Sequence, residues 1–220
     1  MDGEILLIDK PDGMSSFGVV ARVRRKLSER AGHKVKVGHT GTLDPFATGL
    51  LILLTGKGTK RSNEFLKLDK TYEATVHLGA TSTTGDPEGK ITEKACEPVD
   101  RAQVEAIIPQ FIGEIEQRVP QFSAVKINGE RAYKLARKGE QVEMPVRKIK
   151  IYSLEILDYA WPELKIRCHV SSGTYIRTLG EDLGKALGTG AYLTTLRRTE
   201  VGDYKVEDAV KLDEFMNLAA

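Results

Sequence analysis

A single carboxylate lies in a loop that is otherwise rich in glycine, threonine and proline. The stretch GHTGTLDPFATG covers residues 38–49 and contains three glycines, three threonines, one proline and one acid, Asp44. A plain connecting loop uses glycine and proline for its turns but has no need of the acid. A functional site does have a use for such an acid. An Asp before a proline is also an ordinary turn residue, and Pro45 favours an extended backbone that would fix the direction of the Asp44 side chain.

The segments beside this loop predict the elements that position it. EILLID (4–9) is a short apolar run that ends in a turn, which predicts a buried strand. Ser16 is a candidate helix cap, and the helix after it would place apolar residues on one face: Val19, Val20, Val23 and Leu27. GLLILLTG (49–56) fits a strand or a buried helix, because its periodicity does not decide between them.

The rest of the chain mixes strands and helices. TYEATVHLG (71–79) alternates as a strand does, DRAQVEAIIPQF (100–111) has a capping acid and helical spacing, and residues 148–171 predict a hairpin around a Trp-Pro turn. TYIRTLGEDLGKALG (174–188) predicts a helix that ends at Gly188. There is no regular βαβ alternation, so we expect an α+β fold around a mixed, largely antiparallel central sheet flanked by helices. We expect residues 1–220 to form one domain.

Composition is ordinary for a soluble globular protein, and we expect a cytoplasmic one. Hydrophobic residues make up 40% of the 220 residues and charged residues 29%, and no stretch is typical of a signal peptide or a membrane span. Cys96 and Cys168 lack CxxC spacing, which favours a reducing compartment. The histidines have no metal-ligand spacing with cysteines or acids, so we expect a metal-free protein; they are His33, His39, His77 and His169.

Positive charge is concentrated in two segments. Residues 20–37 carry seven Lys/Arg against one acid, and residues 118–150 carry nine against three, so the remainder of a chain with net charge +2 is acidic. Either segment alone could be an ordinary solvated surface. Both together favour a surface that binds a polyanion such as nucleic acid.

Nucleotide-binding and serine-hydrolase motifs do not fit the sequence. TGKGTK (55–60) has Leu51 where a phosphate-binding loop requires its first glycine, and Gly58 where Ser or Thr should follow the lysine. The dinucleotide pattern fails because GKGTKR ends in Arg61, and no GxSxG elbow is present. One acid in a Gly/Thr/Pro loop and a basic surface are the features that remain.

Taken in order, six stretches resemble the motifs of the TruB-type tRNA pseudouridine synthases. They are LLIDKPDGMSS (6–16), GHTGTLDPFATGLL (38–51), YEATVHLGATSTTGDPEG (72–89), VPQFSAVKINGERAYKLAR (119–137), SSGTYIRTLGEDLG (171–184) and LRRTEVG (196–202). The resemblance implies the pseudouridine-synthase catalytic fold and an isomerase that converts uridine 55 in the T-arm of tRNA to pseudouridine. It implies no cofactor. Many family members carry a small C-terminal RNA-binding domain of the PUA type, and we expect no such domain within residues 1–220.

The resemblance also assigns roles to individual residues. It makes Asp44 the nucleophile, Arg177 the cation that pairs with Asp44, and Tyr72 the residue that stacks on the flipped base and can help remove the C5 proton. Substrate-binding positions are His39, Tyr72, Tyr175 and Leu196. Lys10 matches a lysine with a structural role near the active loop. The segment 118–150 matches an insertion that grips the tRNA arm, so phosphate contacts are expected from Lys126, Arg131, Lys134, Arg137 and Lys138.

The reaction fits these residues without help from redox or metal chemistry. Breaking the bond from N1 to ribose, turning the base and rejoining it through C5 requires a carboxylate, a dry pocket and base flipping. Whether Asp44 attacks ribose C1′ or base C6 stays open. Two other interpretations are a non-catalytic RNA-binding module, which would not need the acid and its arginine, and an Asp-dependent hydrolase such as a nucleosidase, which would not need the basic insertion. We expect a monomer whose partner is tRNA, with no membrane contact.

Overall fold

A computed structural model describes residues 3–127, 129–140 and 142–218. The strands are β1 Ile5–Lys10, β2 Val37–His39, β3 Thr48–Thr55, β4 Lys70–Leu78, β5 Ala80–Ser82, β6 Ile91–Glu93, β7 Gly113–Arg118, β8 Lys126–Ile127, β9 Glu130–Arg131, β10 Val146–Ala160, β11 Glu163–Val170, β12 Ala191–Val201, β13 Tyr204–Lys205 and β14 Val210–Lys211. The α-helices are α1 Ser16–Ala31, α2 Ser62–Leu66, α3 Arg101–Ile107, α4 Ala132–Arg137, α5 Ile176–Ala186 and α6 Leu212–Asn217. Single 3₁₀ turns cover Gly56–Arg61, Ile108–Phe111 and Val206–Asp208.

The chain divides into two compact units. Unit 1 contains the residues up to Glu73 and those from Leu196 onward, and unit 2 contains Ala74–Thr195. In the sheet, the neighbouring strands of unit 1 have the order β14–β1–β3–β12, and those of unit 2 have the order β12–β4–β11–β10–β7. Strands β4 and β12 therefore contribute residues to each unit. Among the described residues, the pairs β1/β14 and β3/β12 are parallel, whereas β1/β3, β2/β3, β7/β10, β10/β11 and β12/β13 are antiparallel. The expected α+β fold with a mixed, largely antiparallel sheet is confirmed.

The continuous apolar run of β3 is explained by burial on both of its faces. Leu51 and Leu53 pack in one core with Ile8 of β1 and the apolar face of α1, whereas Leu50, Ile52 and Leu54 pack in a second core with Phe65. Side chains alternate across a strand, so a strand that is covered on both sides has no polar positions to alternate with. The structure therefore shows that this segment is a strand, β3, which ends at Thr55, one residue before the end of the apolar run considered in the sequence.

Helix α1 buries the apolar stripe that its sequence predicts. Val19, Val20, Val23 and Leu27 are all less than 9% exposed. The cap, however, is Ser15, whose hydroxyl accepts from the Gly18 amide at 3.0 Å. The expectation that Ser16 caps the helix is wrong by one residue, because the Ser16 hydroxyl bonds elsewhere, as described below. Gly32 ends the helix with φ of +68°, a conformation that glycine adopts without strain.

Unit 2 confirms the predicted hairpin and helices. Strands β10 and β11 pair antiparallel around Trp161-Pro162, and Asp100 caps α3 in a reciprocal capping box with Gln103. Gly180 on α5 lets the helix lie close to β12, since a Cβ there would fall 2.8 Å from Leu193 Cδ2. Among the described residues, no helix is long and apolar enough to span a membrane.

Candidate active site

The backbone on both sides of Asp44 is held by side chains from β1 and α1. The buried Ser16 hydroxyl donates to the Leu43 carbonyl at 2.9 Å and accepts from the Leu43 amide at 2.8 Å. On the other side of Asp44, the Lys10 ammonium donates to the Pro45 carbonyl at 3.0 Å. The Asp44 carbonyl itself accepts from the Ala47 amide at 3.1 Å, which closes a turn. A half-buried carboxylate is thus carried on a peptide that is fixed before and after it.

Lys10 is the most conspicuous part of this support because it is fully buried and charged. Its Nζ also donates to the carbonyls of Pro11 and Met14, at 2.8 and 2.6 Å, so one ammonium joins the turn after β1 to the Asp44 loop through three carbonyls. Several hydrogen bonds of this kind offset the cost of removing the charge from water. The structural role inferred for this lysine fits the geometry.

We expect Lys10→Met to lower the free energy of unfolding by about 3 kcal/mol, because it leaves buried carbonyls without their charged donor. Urea unfolding measures the change. Lys67→Met, at an exposed lysine, is the control and should shift stability by less than about 0.5 kcal/mol. A Lys10→Met protein as stable as the control would show that the ammonium does not hold the loop.

Arg198 fixes the start and the end of the same loop. Its buried guanidinium donates to the Gly41 carbonyl at 3.1 Å and to the Leu50 carbonyl at 2.8 Å. Gly49 pairs with Arg198 in the β3/β12 ladder, has φ of +100°, and a Cβ on it would lie 2.3 Å from the Arg198 carbonyl oxygen. The last glycine of GHTGTLDPFATG is therefore required by the close approach of two strands.

The remaining candidates of unit 1 lie on strands that flank this loop. His39 ends β2, is half-buried, and its Nδ1 lies 3.4 Å from the Gly41 amide. Tyr72 on β4 and Leu196 on β12 are 8% and 6% exposed. Next to Tyr72, the Thr71 carbonyl accepts from the Thr199 hydroxyl at 3.2 Å, which links the two strands. Base-contacting roles for these three side chains remain predictions.

Arg177 lies in unit 2 at the centre of a buried polar cluster. The side chains of Arg177 and Asp86 are 6% and 3% exposed and form an ion pair at 3.1 Å. The guanidinium also donates to the carbonyls of Thr84 and Phe122, at 2.8 and 2.7 Å. One arginine therefore joins the 83–90 loop to the basic insertion, and its planar fork suits this arrangement better than a lysine would.

Tyr175 and Arg177 are two positions apart but differ in backbone conformation, because the helix predicted over 174–188 begins between them. Tyr175 has an extended backbone (φ −102°, ψ 110°), whereas α5 begins at Ile176 and includes Arg177 in its first turn. The Tyr175 backbone is bound twice by the buried Gln117 amide: Tyr175 N donates to Oε1 at 2.8 Å, and Nε2 donates to the Tyr175 carbonyl at 3.0 Å. Gln117 on β7 thus fixes the backbone of the residue that directly precedes α5, and with it the direction in which the helix starts.

A small apolar core holds the basic insertion onto this part of unit 2. Val119, Ala132 and Met144 are buried together, and Tyr175 packs against them. The short hairpin β8–β9 and α4 display cations on the outside, since all five predicted phosphate contacts are exposed: Lys126, Arg131, Lys134, Arg137 and Lys138. Lys138 also pairs with Glu130 at 3.1 Å, which reduces the charge it offers to a partner.

The carboxyl group of Glu181 adds to the electrostatics around Arg177. Burial raises the pKa of this group, and the Arg177 guanidinium opposes that rise. Gly85 makes room for Glu181, because a Cβ at Gly85 would lie 2.8 Å from Glu181 Oε1. Among the described residues, no three His, Cys, Asp or Glu side chains cluster as a metal site requires.

Two residues of this site, Asp86 and Gln117, are absent from the sequence-based predictions. Asp86 lies in the polar loop ATSTTGDPEG and meets an arginine 91 positions away, and Gln117 meets Tyr175 over 58 positions. Contacts between residues so far apart in sequence cannot be predicted from the periodicity of the sequence. The only local signal was an acid within a turn-rich stretch, the same signal that drew attention to Asp44. The predicted ion pair between Arg177 and Asp44 stays a prediction.

Chains of two solved complexes share this fold. The chain aligns to one in "Crystal Structure of a Cbf5-Nop10-Gar1 Complex" with a TM-score of 0.74 and 30% identity, covering 98% of this chain and 54% of that one. A second match, "Structure of H/ACA RNP bound to a substrate RNA containing 2'-deoxyuridine", has a TM-score of 0.71 and 28% identity and covers 98% and 53%. The chain thus spans about half the length of these matched chains. The fold is that of the pseudouridine synthases.

Sequence comparison gives the family. Residues 24–176 match the TruB family pseudouridylate synthase (N terminal domain), and residues 177–220 match the tRNA pseudouridylate synthase B C-terminal domain. A tRNA pseudouridine synthase B of Phocaeicola vulgatus is 48% identical over 216 residues, covering 97% of this chain and 92% of that protein. One of Aquifex aeolicus is 47% identical over 219 residues, covering 99% and 74%. The chain belongs to the TruB family of pseudouridylate synthases, which are isomerases.

Proposed function

We propose that this protein isomerises uridine 55 in the T-arm of tRNA to pseudouridine, with Asp44 as the nucleophile. The observation that carries the proposal is the support of the Asp44 loop, where Ser16 binds the peptide before Asp44 and Lys10 binds the peptide after it. A carboxylate that must attack a substrate atom gains from a position fixed before substrate arrives. An ordinary turn aspartate gains nothing from two buried side chains that serve its neighbours.

The chemistry assigned to Asp44 is covalent. The carboxylate adds to ribose C1′ or to C6 of the base, the bond from N1 to C1′ breaks, and the base turns so that C5 joins C1′. The proton on C5 then leaves, N1 takes up a proton, and the carboxylate is released, so the product is an isomer of the substrate. The uridine must be out of its stack for this, because a base within a folded arm cannot reach a protein carboxylate.

Arg177 and Tyr72 complete the proposed site. A carboxylate in a dry pocket tends to take up a proton unless a cation stabilises its charge, and Arg177 is the cation proposed for Asp44. The hydrogen bonds of Arg177 to Asp86, Thr84 and Phe122 would fix its guanidinium for this purpose. The buried Tyr72 ring would stack on the flipped base, with His39, Tyr175 and Leu196 as further substrate contacts.

Release of the C5 proton gives a direct assay of the proposal. A tRNA transcript whose uridines carry tritium at C5 is incubated with the purified protein, and tritium in water is counted. We expect release of about one equivalent per tRNA at saturation, and none from a transcript in which uridine 55 is replaced by cytidine. Equal release from both transcripts would reject the choice of uridine 55, and no release from either would favour a non-catalytic RNA-binding module.

The insertion is proposed to bind the phosphates of the tRNA arm. Replacing Lys126, Arg131 and Arg137 together by glutamine should raise the Kd for tRNA and reduce the log–log salt slope by up to about 3, because each lost phosphate contact removes about 0.9. Turnover at saturating tRNA should change by less than about twofold, since these side chains position RNA and do not react. Fluorescence anisotropy at several salt concentrations measures the slope.

The matched control removes three exposed cations of unit 2 that already face carboxylates. Arg101 pairs with Glu105 at 2.7 Å, Lys165 lies 3.8 Å from Asp158, and Arg167 lies 4.0 Å from Glu155. Their triple glutamine variant has the same net charge as the insertion variant. Equal salt slopes for the two triple variants would mean that the insertion acts only through net charge. The phosphate contacts would then have to lie on other residues.

A further inference from the structure

The outer side of α1 carries a basic groove in unit 1. It is a cavity of about 400 Å³, lined by Ala21, Arg22, Arg24, Arg25, Ser28 and Lys34. Four of these six residues are cations, and within the described part of the chain none of the lining residues is an acid. A concave surface lined by one sign of charge concentrates its field on a ligand of the opposite sign. The groove therefore suits phosphate groups.

The groove is built by hydrogen bonds between the helix and the loop that follows it. The Ser28 hydroxyl donates to the Arg24 carbonyl at 2.7 Å and accepts from the Val35 amide at 3.0 Å. Val35 is buried, so the loop is fixed at that point and holds the exposed Lys34 beside the helix. The concavity is thus a feature of the fold and not a chance arrangement of long side chains.

The cations of α1 differ in how far they are engaged by the protein itself. Lys26, on the same helix, donates to the carbonyls of Met216 and Leu218, at 2.6 and 2.5 Å, so its ammonium already serves the chain. Arg25 lies 3.9 Å from Glu29, and the two side chains are 70% and 68% exposed. An ion pair this exposed is weak, so a phosphate can take the place of the Glu29 carboxylate beside Arg25. The lining cations can accordingly turn towards a ligand, whereas Lys26 holds the C-terminal segment.

An exposed aromatic ring continues the groove towards the catalytic loop. Phe17 is 63% exposed, and the Arg24 guanidinium lies 5.9 Å from its ring centroid. Phe17, Ala21, Arg24 and Ser28 are spaced by three or four residues, so they form one stripe on the helix. A phenylalanine left in water beside cations is typical of surfaces that stack a nucleic-acid base and bind its phosphates.

The start of this stripe is attached to the loop that carries Asp44. Ser16 precedes Phe17 directly, and its hydroxyl binds both polar groups of the Leu43 peptide. At 1.5 Å of rise per residue, Arg24 lies about 12 Å and Ser28 about 18 Å along the axis from Ser16. These distances correspond to a few nucleotides of RNA. When one nucleotide lies at the Asp44 loop, phosphates a few positions along the same strand would therefore reach the groove.

We propose that the groove of α1 is a second RNA-binding surface, in which Arg22, Arg24, Arg25 and Lys34 contact backbone phosphates and Phe17 stacks on an unpaired base. The RNA is the tRNA substrate, so the identity of the ligand rests on the proposed function. The surface is separate from the basic insertion of unit 2. It acts on affinity and leaves the chemical step to Asp44.

Two variants with different expected signatures test the surface. Replacing Arg22, Arg24 and Lys34 by glutamine should raise the Kd for a full-length tRNA transcript by at least about tenfold and reduce the log–log salt slope by about 2 to 3. Phe17→Ala should raise the Kd by about fivefold to a hundredfold through lost stacking but leave the salt slope unchanged, because the ring contacts no phosphate. Both should keep turnover at saturating tRNA within about twofold of the parent.

The controls separate this surface from general charge and from folding. Lys26→Gln removes one cation from the same helix and should change the slope by less than the single variant Arg22→Gln does. Circular dichroism and urea unfolding identify any variant that is not folded, and the single variants replace a triple variant that fails. Equal slopes for Lys26→Gln and Arg22→Gln, or an unchanged Kd for Phe17→Ala, would overturn the proposal. Binding is measured independently of turnover, so a protein that binds tRNA through α1 but releases no tritium would reject the proposed reaction alone.

Discussion

We expect Asp44→Asn to lower the turnover of tRNA by more than about a thousandfold while the Kd for tRNA changes by less than about threefold. The amide fills the same space as the carboxylate but cannot attack a carbon atom. Its peptide should keep its position, because Ser16 and Lys10 bind the neighbouring backbone at Leu43 and Pro45. Tritium release measures turnover, and anisotropy measures binding.

Asp203→Asn is the matched control for this change. Asp203 is an exposed acid in a turn of the same unit, so the chemical substitution and the change in net charge are identical. It should leave turnover within about twofold of the parent. Turnover of Asp44→Asn within tenfold of the parent would end the assignment of Asp44 as the nucleophile.

The second large effect is expected at Arg177. Arg177→Lys keeps the charge but loses the planar fork that donates to Thr84, Asp86 and Phe122 at once. We expect turnover to fall by about a hundredfold or more, with a modest change in the Kd for tRNA, since a lysine cannot satisfy three fixed acceptors and also face a reacting carboxylate. Single-turnover kinetics at saturating tRNA isolate the chemical step.

Asp86→Asn distinguishes positioning from simple loss of stability. It keeps the size of the side chain and removes the charge that pairs with Arg177, so turnover should fall while the Kd for tRNA stays close to that of the parent. Urea unfolding should show a loss of about 2 to 4 kcal/mol for each variant, because each leaves a buried polar group short of its partner. If Arg177→Lys turns over normally, Arg177 does not position Asp44.

Much of the fold could be predicted from local patterns, and the failures have physical causes. The apolar stripe of α1, the capping acid of α3 and the hairpin of β10 and β11 depend on residues that are close in sequence, and the structure confirms them. Residues 49–56 were ambiguous because a strand that is covered on both faces has no alternation. That the segment is β3 is decided by its neighbours in the sheet.

The site was harder to predict because its support is distant in sequence. The carboxylate loop and Arg177 could be named from motifs, but the function of Ser16 could not. A serine before an amphipathic helix looks like a cap, and only the fold brings its hydroxyl to Leu43, 27 positions away. Asp86 and Gln117 were not predicted for the same reason, since their partners are 91 and 58 positions away. Side chains that position a site are recognised by their partners, and partners are a property of the folded chain.

Mapping pseudouridine in a tRNA transcript is the most direct test of the proposed function. The transcript, free of any modification, is incubated with the purified protein without added cofactor, and with Asp44→Asn protein as the blank. Chemical labelling of pseudouridine followed by reverse transcription then reads every uridine in the molecule. We expect one pseudouridine, at position 55, with the parent protein and none with the blank. A transcript that stays unmodified at position 55 under conditions where the protein is folded and binds tRNA would contradict the proposed function.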